Sequence, residues 1–83
     1  MEGKLIGEVF NFFENARVVA LKLEGNLKLG DTIRIVGGDK DFTQVVDSIQ
    51  INGKNVDSAK KGDGVGIKIS EKANKGYKVY KVA

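Results

Sequence analysis

Eighty-three residues, 41% of them hydrophobic and 30% charged, suffice for one domain spanning 1–83, with a thin core. The chain holds no cysteine and no histidine, which removes disulfides, thiolate chemistry, the usual general base and the commonest metal ligand. No run approaches the ~20 apolar residues of a membrane helix, and the opening MEGKLIGEV lacks the apolar centre of a signal peptide, so a cytoplasmic protein is expected.

The net charge of +3 is unevenly spread: residues 1–41 carry six basic and seven acidic groups, and residues 42–83 carry eight lysines and four acids. A basic second half suits a polyanion such as RNA. The plainer reading is a lysine-rich surface that keeps the protein dispersed.

Residues 4–13 open with a strand, with Leu5, Gly7 and Val9 on one face and Ile6, Phe10 and Phe12 on the other. The aromatics Phe12 and Phe13 close its end. The next stretch organises the chain. In RVVALKLEGNLKLGDTIRIV, residues 17–36, alternating runs (Val19, Leu21, Leu23, then Ile33, Ile35) flank glycine turns at Gly25-Asn26 and Gly30-Asp31. Strands are predicted over 16–24 and 32–36, with Leu27-Lys28-Leu29 between them too short to stand alone and pairing locally. A polar loop follows over 37–41, in which Asp39 and Asp41 alternate as in calcium loops. Two carboxylates fall short of the 6–8 oxygens calcium takes, so no metal is expected.

Residues 42–51, FTQVVDSIQI, form the longest predicted strand. Val46 and Ile49 are both core candidates three positions apart, and a bulge near Asp47-Ser48 lets both point inward. Asn52-Gly53 is a strong two-residue hairpin signal, leading to a short strand over 54–56. Residues 57–62 read as a polar connection with Ala59 as a buried plug and a single helical turn capped by Asp57. Strands over 65–69 and 77–82 complete the chain, separated by the lysine-rich loop SEKANKG. Short strands at close intervals with no long helical period indicate a small all-β sandwich or barrel.

No pattern carries catalysis. Gly62, Gly64 and Gly66 lack the lysine-serine pair and following helix of a phosphate loop. Ser48 and Ser70 have no histidine to activate them, and the carboxylates lie in turns or on outward strand positions. A binding module without a cofactor is expected rather than an enzyme.

The segments NARVVALKLEGNLKLGDTIRIVG and AKKGDGVGIKI resemble the second domain of translational GTPases, the family of elongation factor Tu, bacterial initiation factor two and the archaeal initiation factor gamma subunit. The shared pieces are Gly25-Asn26-Leu27-Lys28-Leu29-Gly30-Asp31, then Ala59 with Gly62-Asp63 and Val65-Gly66-Ile67, then Gly76 before the closing strand. The resemblance implies a small closed, mainly antiparallel six-stranded (six to seven) β-barrel of the translation protein domain 2 type. There are departures. The chain lacks the GTPase motifs. Gln50 stands where elongation factors carry a glutamate facing the terminal adenosine of transfer RNA, no arginine follows near Asn52-Gly53, and Tyr77 replaces an aspartate. The same barrel also occurs as a non-catalytic module appended to collagenase-like peptidases, and a shared fold does not carry a shared task.

The resemblance and the basic second half together lead to an expected translation accessory that binds tRNA, rRNA or the ribosome. Arg17, Arg34, Lys54, Lys60 and Lys61 would meet phosphates, with Lys72, Lys75 and Lys78 extending the patch. Gln50 would lie near the terminal base, and Phe42 or Tyr77 would stack on one. The alternative is a protein-interaction module docking on an enzyme or larger factor through Phe10, Phe12, Phe13 and Phe42, residues that otherwise close one end of the core.

Overall fold

In the computed structural model, which describes residues 3–38 and 40–82, the alternating pattern becomes strands, and no helix occurs among those residues. The strands are β1 (Lys4–Phe13), β2 (Val18–Leu23), β3 (Leu27–Lys28), β4 (Thr32–Gly37) and β5 (Lys40–Val45), then β6 (Ile49–Ile51), β7 (Lys54–Val56), β8 (Ser58–Ala59), β9 (Gly64–Lys68) and β10 (Lys78–Val82). Every described pairing is antiparallel. Eight strands form one sheet in the order β5-β4-β10-β1-β2-β9-β6-β7, and β3 pairs with β8 separately. The all-β, antiparallel expectation therefore holds. The backbone ladder has two ends, β5 and β7, and does not close on itself among the described residues.

The core is wholly apolar. Ile6, Leu21, Ile33, Ile35, Ile67 and Val79 lose all solvent contact, and no polar or charged side chain is buried among the described residues. The described carboxylates and ammonium groups thus keep at least some contact with water, where their charge costs least.

Two equivalent corners fasten this core. In each, an aspartate carboxylate accepts from the amide three residues back: Lys28 N–H to Asp31 Oδ2 and Lys60 N–H to Asp63 Oδ2, both 3.0 Å. The intervening glycines adopt φ of 92° (Gly30) and 95° (Gly62), a region where a Cβ would be strained. Each corner then pairs with the end of a distant strand. Gly30 N–H donates to the Val46 carbonyl and Val46 N–H to that of Asp31; Gly62 N–H donates to the Leu23 carbonyl and Leu23 N–H to that of Asp63, all at 2.8–2.9 Å. The β3–β8 pair, Leu27 opposite Ala59, lies between the corners.

Several expectations are corrected. Residues 58–59 form strand β8 rather than a helical turn, because Ser58 and Ala59 find partners on β3. The hairpin after β4 is tighter than predicted: β5 begins at Lys40. Asp39, half of the calcium-like alternation, lies outside the described residues. In β1 the even alternation breaks twice, with register shifts at Leu5/Gly7 against β10 and at Val9/Asn11 against β2. Ile6 and Val9 consequently both face the core, while Leu5 does not. The anticipated irregularity at residues 46–48 is present, and Val46 and Ile49 are both buried. Ala59 is buried as expected, and so is Ala73, in a loop that reads as merely polar.

Near this kink Gln44 reaches from β5 to the end of β9. Its Nε2 donates to the Lys68 carbonyl (2.9 Å), and its Oε1 accepts from Ser70 N–H (2.8 Å). Gln44→Ala should lower unfolding free energy by about 1–3 kcal/mol, two hydrogen bonds at the usual net worth, measured by urea denaturation. Tyr77 packs on Gly37, where an added Cβ would fall within the tyrosine ring. Gly37→Ala should cost about 1–3 kcal/mol by overpacking, and most of that cost should vanish in a Tyr77→Ala background.

Candidate functional site

The candidate residues read from the sequence are carried by several different elements. Arg34 lies on β4, second in the sheet, whereas Lys54 lies on β7, at its far end. Gln50, on β6, donates from Nε2 to Asn55 Oδ1 (3.2 Å). Lys60 and Lys61 belong to the second glycine-aspartate corner, and Lys72 and Lys75 to the loop before β10. Arg17 sits in the β1–β2 turn with φ 54°, its Nη1 donating to the Ser70 carbonyl at 3.2 Å. Phe42 and Tyr77 are half-buried and pack against the core.

Two of these cations already have carboxylate partners. The Arg34 guanidinium grips Asp41 with a fork, Nε to Oδ1 at 2.8 Å and Nη2 to Oδ2. Lys78 Nζ donates to Glu8 Oε1 at 3.0 Å. The hydrogen bond from Arg34 holds the Asp41 carboxyl below its ordinary range, and the reverse contact raises Arg34. The bond to Glu8 likewise raises Lys78. These shifts come from exposed ion pairs. No group of three or more carboxylates able to hold a metal occurs among the described residues.

The outer face of β1, β2, β9 and β6 is different in kind. The register sets Val18 opposite Lys68, Ala20 opposite Gly66 and Lys22 opposite Gly64, and then Gly66 opposite Gln50. Alanine and glycine thus make a flat floor two strands wide. On one side Phe10 follows inward Val9 and faces out, and the irregularity between Val9 and Asn11 resets the phase so that Phe13 faces out as well; they are 55% and 51% exposed. On the other side stand Gln50 and the Asn52-Gly53 hairpin, both of whose residues adopt positive φ. The open trough between them has a volume of about 420 Å³. The aromatic cluster at the end of β1 divides: Phe12 and Phe42 pack on the core, and Phe10 and Phe13 face solvent. Alternation alone could not separate them, because the irregularity resets the phase within the strand.

No protein-family model matches the chain. Over 76 residues it is 43% identical to an uncharacterized protease of Methanocaldococcus jannaschii, covering 90% of this chain and 19% of that protein's length. Among solved structures it resembles the C-terminal domain of a Geobacillus thermoleovorans protein assigned to the U32 peptidases. TM-scores are 0.89 for the domain and 0.88 for its selenomethionine variant, with 19% identity to each. The alignments cover 96% and 93% of this chain, and 93% and 98% of those chains. At that identity the likeness is one of fold.

These findings overturn the translation reading. The relatives carry peptidase names, not translation-factor names, and none speaks for tRNA, rRNA or the ribosome as partner. The glycine-aspartate pieces behind the resemblance are the two corner clamps, whose hydrogen bonds are architectural. The lysine excess of the second half is likewise divided among β7, the second corner, β9, the last loop and β10.

The Arg34–Asp41 pair makes a prediction with a definite sign. A depressed carboxyl pKa contributes stability that is complete above the ordinary value of about 3.9 and is lost as pH falls through the folded value. Asp41→Asn should therefore melt slightly below the wild type at pH 7, a small difference because both side chains are exposed, and the two should converge once the pH has fallen below the depressed Asp41 value. Thermal melts at pH 7 and at falling pH check this.

Proposed function

We propose that the chain is a single non-catalytic docking domain, a protein-interaction module that seats on an enzyme of the peptidase kind or on a larger factor. One observation carries the reading: Phe10 and Phe13 stand more than half exposed beside a floor of Ala20, Gly64 and Gly66. Large aromatic surface kept in water on a domain with so small a core is the mark of a surface that another protein covers. The peptidase relative favours the same role, since 19% of its length aligns with this chain and the remainder lies outside the match.

We read the sheet as a closed six-stranded barrel in support of that role. Strands β5 and β6 are separated only by residues 46–48, with β5 laddered to β4 and β6 to β9. Taken as one bent strand, they join the two ends of the cylinder, and Gln44 spans the corner. A closed sheet leaves few free edges, so recognition falls to its outer face.

The test is capture from native extract on the immobilised chain, compared with Phe10→Asp/Phe13→Asp. The wild type should retain a stoichiometric, peptidase-type protein without nucleic acid, and the double variant at least tenfold less. The melting temperature of the variant should stay within a few degrees, because both rings are exposed. Equal retention by the variant would contradict the reading.

A further inference from the structure

We infer that the occupant of the Phe10–Phe13 trough is an amphipathic α-helix with carboxylates flanking its apolar stripe, an inference that rests on the docking reading above. Three observations converge on it. First, the floor is the face of a sheet whose backbone groups are already committed to the β1–β2–β9–β6 ladders. An extended segment laid there would gain no strand pairing and would leave its own amides unmatched, whereas a helix satisfies its backbone internally. Second, the space fits. From β1 to β6 the trough spans three inter-strand spacings, about 14 Å, against a helix diameter of about 10–12 Å. The floor at Ala20, Gly64 and Gly66 lets a helix approach closely, and nothing lies within 4 Å of where a Gly64 Cβ would stand.

Third, the floor's corners carry two lysines without an ion-pair partner among the described residues, with Glu24 beside Lys22 on the same face as the nearest further carboxylate. Lys22 and Lys68 point to the same side as Ala20 and Gly66, and neither forms an ion pair among the described residues. Glu8, which faces Lys22 across the β1–β2 ladder, is taken by Lys78. Lys68 stands beside Val18 and Lys22 four residues further along β2, so the ammonium-bearing corners are about 13 Å apart along the strand. That is about nine residues of helix at 1.5 Å each. An apolar stripe would lie on the rings and the floor, and glutamates or aspartates beside it would meet the two lysines.

The probes are three designed 18-residue peptides: a leucine-striped helix flanked by glutamates, the same stripe flanked by lysines, and the glutamate peptide with a central proline. Backbone amide shifts of the isotopically labelled full chain give affinity and location. The glutamate helix should shift residues of β1, β2 and β9 around the trough. It should bind at least tenfold more tightly than the other two, and Lys22→Glu/Lys68→Glu should reverse the preference between the glutamate and lysine peptides. Equal binding of the lysine peptide overturns the charge assignment, equal binding of the proline peptide overturns the helix, and shifts elsewhere overturn the site. If no peptide binds while Phe10→Asp/Phe13→Asp still abolishes partner capture, the helix inference fails and the docking reading stands. If capture survives that double variant, the docking reading itself fails.

Discussion

The structure depends on a reciprocal pair of backbone bonds made twice. Each glycine-aspartate corner exchanges two hydrogen bonds with the end of a strand far away in sequence: the first with Val46, the second with Leu23. Val46 and Leu23 are buried, so each corner also pins a core residue in place. The aspartate closes the turn from within, and the glycine supplies a backbone angle that side-chain-bearing residues avoid. With β3 and β8 paired between them, the corners fasten the starts of β4 and β9 to the rest of the sheet. Because these clamps are made of backbone and short side chains, the interior can be wholly aliphatic without leaving polar groups stranded.

That division decides where function can reside. Among the described residues the ionisable groups all lie outside the buried core. The exposed ion pairs, Arg34 with Asp41 and Lys78 with Glu8, tie neighbouring strands together on the surface. The β1–β2–β9–β6 face combines rings, a bare floor and unmatched lysines. A local irregularity shapes its rim: Phe10 is the unpaired residue between Val9 and Asn11, and the phase it resets turns Phe12 onto the core and Phe13 outward. A single register shift thus places one ring of this strand on the core and leaves the next in solvent.

Much of the architecture was legible in the sequence because it is local. Asn52-Gly53 makes its hairpin with both residues at positive φ, the glycine-aspartate pairs make the corners, and the three-residue spacing of Val46 and Ile49 betrays the kink between β5 and β6. The matching spacing of Ile6 and Val9 was missed, since the even alternation of Leu5, Gly7 and Val9 offered a simpler but false register. Ser58 and Ala59 gave no strand signal because their pairing depends on Leu27 and Lys28, some thirty positions earlier. The functional reading failed for a related reason. The lysines of the second half lie on several different elements, and the motif that suggested translation factors encodes two glycine-aspartate corners of the sheet rather than a task.

The central claim is that one face of this domain meets a protein while the rest remains scaffold. Hydroxyl-radical footprinting of the chain, free and in complex with the protein it captures, tests it most directly. The account predicts that oxidation of Phe10 and Phe13 falls severalfold on complex formation, while Leu29 and Val45, exposed elsewhere on the surface, react as before. Unchanged oxidation of Phe10 and Phe13, with protection at Leu29 or Val45 instead, would contradict it.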